Sequence, residues 1–143
     1  MKKLLMLAAI FALVLTACPT DTTEKTKKET TLTISNNSNR EIRSFTWNGQ
    51  EGGNMEVGDT NTINIEPGSS YIYFMVYRGA KPPYPYWHRK IRTSEVISII
   101  EGDKKIFTLL NSTIIIDIPT NKTYTFEEWA ANPPSDGNWI HGG

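Results

Sequence analysis

A single cysteine, Cys18, stands in the 143 residues, and one thiol excludes every intramolecular disulfide as well as the cysteine-rich zinc sites. Histidine is almost as scarce. His88 lies inside an extended run and His141 in a glycine-rich tail, so neither a metal pair nor a histidine-based proton relay is expected. No serine occupies a Gly-x-Ser-x-Gly elbow. The glycines Gly49, Gly52 and Gly53 are not followed by the lysine and helix of a phosphate-binding loop,. Carboxylates such as Glu51, Glu56, Asp59 and Glu66 are scattered among turns, where solvation is their ordinary fate. The chain is therefore not expected to be an enzyme or to carry a cofactor or metal. Excess charge of either sign is also missing, since 15 basic residues balance 15 acidic ones. A strongly basic footprint for nucleic acid is thereby excluded.

Long apolar runs are missing too, with one exception at the start. Residues 4–15 are almost unbroken Leu, Ala, Ile, Phe, Val and Met behind Lys2 and Lys3, the order of charge and apolarity found in a secretory signal. The run falls short of the roughly 20 apolar residues that span a bilayer. Leu15-Thr16-Ala17-Cys18 follows it. This stretch resembles the lipobox of bacterial lipoproteins, in which a Leu and two small residues precede a cysteine. The resemblance covers the first 18 residues and implies that residues 1–17 are a signal peptide. It further implies lipidation of Cys18 on its sulfur, cleavage after Ala17 and acylation of the new amine, so that the protein is held on the inner or outer membrane. With each buried CH₂ contributing about 0.8 kcal/mol, two or more chains make such anchoring effectively permanent.

Cleavage would leave 126 of 143 residues and remove Lys2 and Lys3, so that 13 basic residues face 15 acidic ones, a formal charge of −2. Residues 19–30 (PTDTTEKTKKET) hold no apolar side chain larger than proline. Such a segment cannot offset its ordering entropy by burial and reads, with Cys18, as a flexible spacer over 18–30, with a root-mean-square reach of roughly 17 to 20 Å.

From Thr31 the pattern changes to short alternating runs between turn residues, which predicts an all-β domain over 31–118. Strands are expected over 31–35, 41–48, 60–66, 71–78, 86–93, 95–101, 104–110 and 113–118, with a weaker one over 55–57. About eight or nine short strands with brief connections fit an antiparallel β-sandwich, Ig-like or similar, paired largely in sequence order. Run 71–78 is apolar on both faces and should lie centrally. Gly102-Asp103 should close a hairpin. Ile114, Ile116 and Ile118 should share one face, the alternating Ile, Val, Leu and Phe making the core. Thr125-Phe126-Glu127-Glu128 matches a capping box, so a short helix should cover 126–131. The rest of 119–143 should be a loose tail on which Trp139 and Ile140 could dock.

One stretch stands out chemically. Residues 67–94 contain no Asp or Glu, five basic side chains, and seven of the chain's 15 aromatic residues. Cations interleaved with rings suit anionic glycans, nucleic acid or an acidic protein surface, because guanidinium pairs with carboxylate or phosphate and rings stack. The proline-stiffened loop presents Tyr84, Tyr86 and Trp87, followed by Arg89, Lys90 and Arg92, and these six are the candidate binding residues. The function expected is a non-enzymatic, lipid-anchored module of the cell envelope that binds a protein or an anionic glycan. Nucleic acid is not an expected partner. The alternative is a structural component that pairs with another envelope protein through a sheet edge; an enzyme comes third. Short strands behind a lipobox and spacer also resemble small uncharacterised lipoproteins of host-associated spirochaetes, a resemblance that supplies no activity.

Overall fold

The structure is a computed structural model that describes residues 25–77 and 87–141. Among these residues, twelve strands and one helix follow in chain order: β1 (Thr31–Asn37), β2 (Ile42–Trp47), β3 (Gln50–Gly52), β4 (Thr60–Asn64), β5 (Gly68–Ser70), β6 (Ile72–Tyr77), β7 (Trp87–Thr93), β8 (Ile97–Ile99), β9 (Lys104–Leu110), β10 (Ile114–Asp117), β11 (Lys122–Thr125), α1 (Phe126–Ala131) and β12 (Ile140–His141). The all-β, sandwich-like fold agrees with the alternation of the sequence.

The large sheet has the order β11-β10-β7-β6-β2-β3, with β12 beside β7. A small sheet of order β4-β1-β9 contributes Leu32, Ile34 and Leu109 to the same core as Phe45, Trp47, Phe74, Val76, Ile91 and Ile115 of the large sheet. The Phe74 and Phe107 rings meet between the sheets at 6.1 Å. β5 and β8 form a separate ribbon. As expected, β6 is an interior strand, its Ile72, Phe74 and Val76 fully buried.

The expected pairing in sequence order is not what forms: among the described residues only β2–β3, β6–β7 and β10–β11 pair consecutive strands, while β1–β4, β1–β9, β2–β6, β5–β8, β7–β10 and β7–β12 do not. β1 and β9 run parallel, Thr31 beside Lys104 through Asn37 beside Leu110, so the sandwich is not purely antiparallel. The hairpin expected at Gly102-Asp103 does not form. The chain does turn there, with Gly102 at φ +85° and the Asp103 amide donating to the Ile100 carbonyl. Its flanks diverge nevertheless: β8 joins β5 and β9 joins β1. A hairpin that the chain does form is β2–β3. Asn48 and Gly49 take φ +46° and +79°, the double left-handed turn whose twist matches antiparallel strands. Gly52, opposite Phe45, leaves room for the ring, since a Cβ there would lie 2.1 Å from it.

The capping box is present, the Thr125 hydroxyl accepting from the Glu128 amide and the Glu128 carboxylate accepting from the Thr125 amide. The boundaries expected at 118 and 30 shift outward. β11 belongs to the large sheet, and the segment beyond α1 is not loose: Trp139 is buried against Trp129, and β12 pairs with β7. Ile140 remains 52% exposed. At the other end Thr30 is buried. Its carbonyl accepts from Ile65 and its hydroxyl from the Gly102 amide.

Candidate functional site

Alternation along β7 sorts its side chains onto two faces. Arg89, Ile91 and Thr93 point into the sandwich; Lys90 and Arg92 point out. Arg89 therefore cannot meet a partner, and its assignment to a binding surface is corrected. Its guanidinium is fully buried and shared by two carboxylates. Nε and Nη2 donate to the two oxygens of Asp117, the latter at 2.7 Å. Nη1 and Nη2 donate to those of Asp136 at 2.7 and 3.0 Å. The Trp129 indole N–H and the Thr120 backbone and hydroxyl also donate to Asp117, and the Trp139 ring lies 5.3 Å from the guanidinium carbon.

Asp117 also explains a misassigned face. Ile115 and Asp117 are fully buried, whereas Ile114 is 44% exposed and Ile116 half-buried. The expected inward set is thus displaced by one residue, and a one-residue slip exchanges faces. Burial of Asp117 against Arg89 sets the phase that the surrounding isoleucines leave ambiguous. Burial alone would raise the Asp117 pKa, but hydrogen bonds from Arg89, Thr120 and Trp129 outweigh it and hold the carboxyl below its ordinary value. Asp136 is held well below its own ordinary value by Arg89 first of all. Arg89 is pushed further from deprotonation, chiefly by its hydrogen bond to Asp117. This cluster is an ion-paired clamp that ties the C-terminal segment to β7 and β10.

The outward face of the large sheet has the exposed chemistry. Across it, strand register aligns Thr46, Tyr73, Arg92, Ile116 and Thr123 in one row and Ser44, Met75 and Lys90 in the next. The Lys90 ammonium lies over the Tyr73 ring at 5.1 Å and the Arg92 guanidinium over Tyr71 at 3.9 Å. The two tyrosines meet edge to face at 6.4 Å. A ring beneath each cation limits its rotamers and leaves its outer side to solvent, each contact contributing about 0.5–1 kcal/mol at an exposed site. Among the described residues no carboxylate lies within 4 Å of Lys90, Arg92 or Arg43.

Arg43 reaches this face because of a bulge. The pairing of β2 with β6 shifts between Ile42 and Ser44, so Ile42, Phe45 and Trp47 are all buried although they are spaced three and then two residues apart. The extra residue turns Arg43 and Ser44 together toward the outer side, the re-aiming that bulges produce. Arg43 Nη1 lies 3.5 Å from the Tyr77 hydroxyl and 3.4 Å from His88 Nε2. His88 is buried beneath Tyr77 and Arg43, its ring 4.6 Å from that of Tyr77.

Of the six candidate binding residues, the structure thus brings Lys90 and Arg92 together on one face, buries Arg89, and half-buries Trp87 where β7 pairs with β12. Tyr84, Tyr86 and Cys18 lie outside the described residues. Arg43 and the platform residues Tyr71 and Tyr73 were not in the candidate set. The irregular spacing of Ile42, Phe45 and Trp47 was the available signal for Arg43. A groove of about 240 Å³ between Thr93, Ser94, Glu95, Ile97, Phe107, Thr113 and Ile114 opens elsewhere on the sandwich and carries no cation. Among the described residues no group of three or more His, Cys, Asp and Glu could hold a metal ion, and no helix is long and apolar enough to cross a membrane. No protein-family model, curated protein or solved structure matches the chain.

Proposed function

We propose that the protein is a non-enzymatic binding module, tethered to the cell envelope through Cys18, that captures an acidic partner on the outer face of its large sheet. The observation that carries this reading is the pair of cations on β7, each stacked on a tyrosine and each, among the described residues, without a carboxylate within 4 Å. Oriented cations lose less side-chain freedom on binding than free ones, and that preorganisation favours affinity. The tether rests on the resemblance of Leu15-Thr16-Ala17-Cys18 to a lipobox, and the spacer would let the face turn away from the membrane.

The full chain in detergent should retain dextran sulfate and not neutral dextran at about 0.15 M salt. Replacing Lys90→Gln and Arg92→Gln together should release most of it while leaving the thermal transition in place. Equal retention by wild type and double variant would remove this face from consideration. Mass spectrometry of the protein purified from its membrane should find a diacylglyceryl group on Cys18; an unmodified Cys18 would refute the tether and leave the face to be judged alone.

A further inference from the structure

From the arrangement of Arg43, Lys90 and Arg92 we infer that the ligand of the outer face is a linear acidic polysaccharide lying along β7, an inference that rests on the reading above. Successive outward positions on a strand are about 6.6–6.8 Å apart. The Arg43 guanidinium lies at position 88, the Lys90 ammonium over Tyr73, which pairs with position 92, and the Arg92 guanidinium over Tyr71. Three cations therefore succeed one another along the strand direction above β6 and β7, the first two about four residues or roughly 13 Å apart,. The overall charge of the chain is zero, so this line is a local concentration of positive charge and not a reflection of a basic protein. Its ligand is a chain with charges repeating at a few ångströms.

An acidic peptide fits the same charges but not the same surface. Extended peptides gain affinity by adding a strand to an open edge or by seating side chains in pockets. β7 offers no open edge, since β6 pairs along one side and β10 and β12 along the other. The outward row beneath the cations is also filled, by Tyr71, Tyr73, Met75 and Tyr77, all half-buried. What remains is a flat, rigid platform with cations above rings and the hydroxyls of Ser44 and Thr46 beside them. A sugar chain needs neither pocket nor edge. Its sulfates or carboxylates pair with the cations, and its hydroxyls exchange hydrogen bonds with Ser44, Thr46 and the tyrosines.

The test titrates the full chain in detergent with a size-defined sulfated oligosaccharide of the heparin type and, separately, with polyglutamate. The oligosaccharide should bind at least tenfold more tightly than polyglutamate. Its affinity should fall about tenfold in the Lys90→Gln, Arg92→Gln double variant, as expected for the loss of two solvent-exposed ion pairs. The slope of log affinity against log salt should fall by about 2, one per cation removed. Arg43→Gln alone should lower affinity for long oligosaccharides and leave that for the shortest unchanged, because only a long chain reaches the end of the line. Equal or tighter binding of polyglutamate, with the double variant still defective, would overturn the polysaccharide and keep the face. Binding of neither probe, or binding indifferent to the double variant, would overturn both.

Discussion

Replacing Asp117 with alanine should be among the most damaging single changes in the domain. Asp117 and the Arg89 side chain are fully buried. Without the carboxylate, Arg89 keeps only Asp136, while the Trp129 indole N–H and Thr120 lose the acceptor they now share. Removing one partner of a buried ion pair costs about 3–5 kcal/mol, roughly a fifth or more of a typical total of about 5–15 kcal/mol. At about 4 °C per kcal/mol for a domain of this size, the midpoint should fall by roughly 12–20 °C. Tryptophan fluorescence is a suitable probe, because Trp129 and Trp139 flank the clamp. The informative control replaces both partners, Arg89→Met with Asp117→Leu. Apolar residues of similar size leave no unpaired buried charge, so the double variant should be clearly more stable than Asp117→Ala. A loss below about 1 kcal/mol in Asp117→Ala, or a double variant no better than the single one, would refute the reasoning.

Two further outcomes follow from the same structure. Gly52→Ala would drive a Cβ into the buried Phe45 ring and should cost about 1–3 kcal/mol in urea unfolding, as overpacking does; a neutral effect would show that β3 shifts freely. In acid, Asp117 and Asp136 release protons more readily folded than unfolded. Their contribution is thus complete above the unfolded value of about 3.9 and is lost as pH falls from there toward the lower folded values. The stability difference between wild type and the Arg89→Met, Asp117→Leu variant should be flat from pH 7 to about 5 and change only below about 4. A change already complete by pH 5 would contradict the depressed pKa values.

How much of this was legible in the sequence depended on which interaction decided each element. Period-two alternation sufficed for β1, through Leu32 and Ile34, and for β6, through Ile72, Phe74 and Val76, and the Thr125-Glu128 box sufficed for α1. Alternation failed at β10, because Ile114, Ile115, Ile116 and Ile118 favour neither face and the choice fell to Asp117 and its buried partner. An acid alone among isoleucines asks for a cation, and that cation was Arg89. Strand partners were not legible at all. The parallel pairing of β1 with β9 joins distant segments that carry no local signal, whereas the Asn48-Gly49 turn was a signal present but not used. At the site, alternation along β7 already separated Arg89 from Lys90 and Arg92. The stacking of those cations on Tyr71 and Tyr73 required the register between β6 and β7.

The most direct measurement is amide and side-chain NMR of the full chain in detergent, titrated with the sulfated oligosaccharide. The shifts should concentrate on Tyr71, Tyr73, Lys90, Arg92 and Arg43, with the small sheet unaffected. Shifts confined to the groove between Ile97 and Ile114, to the small sheet, or to no residue at all would contradict the assignment of the outer face as the binding surface.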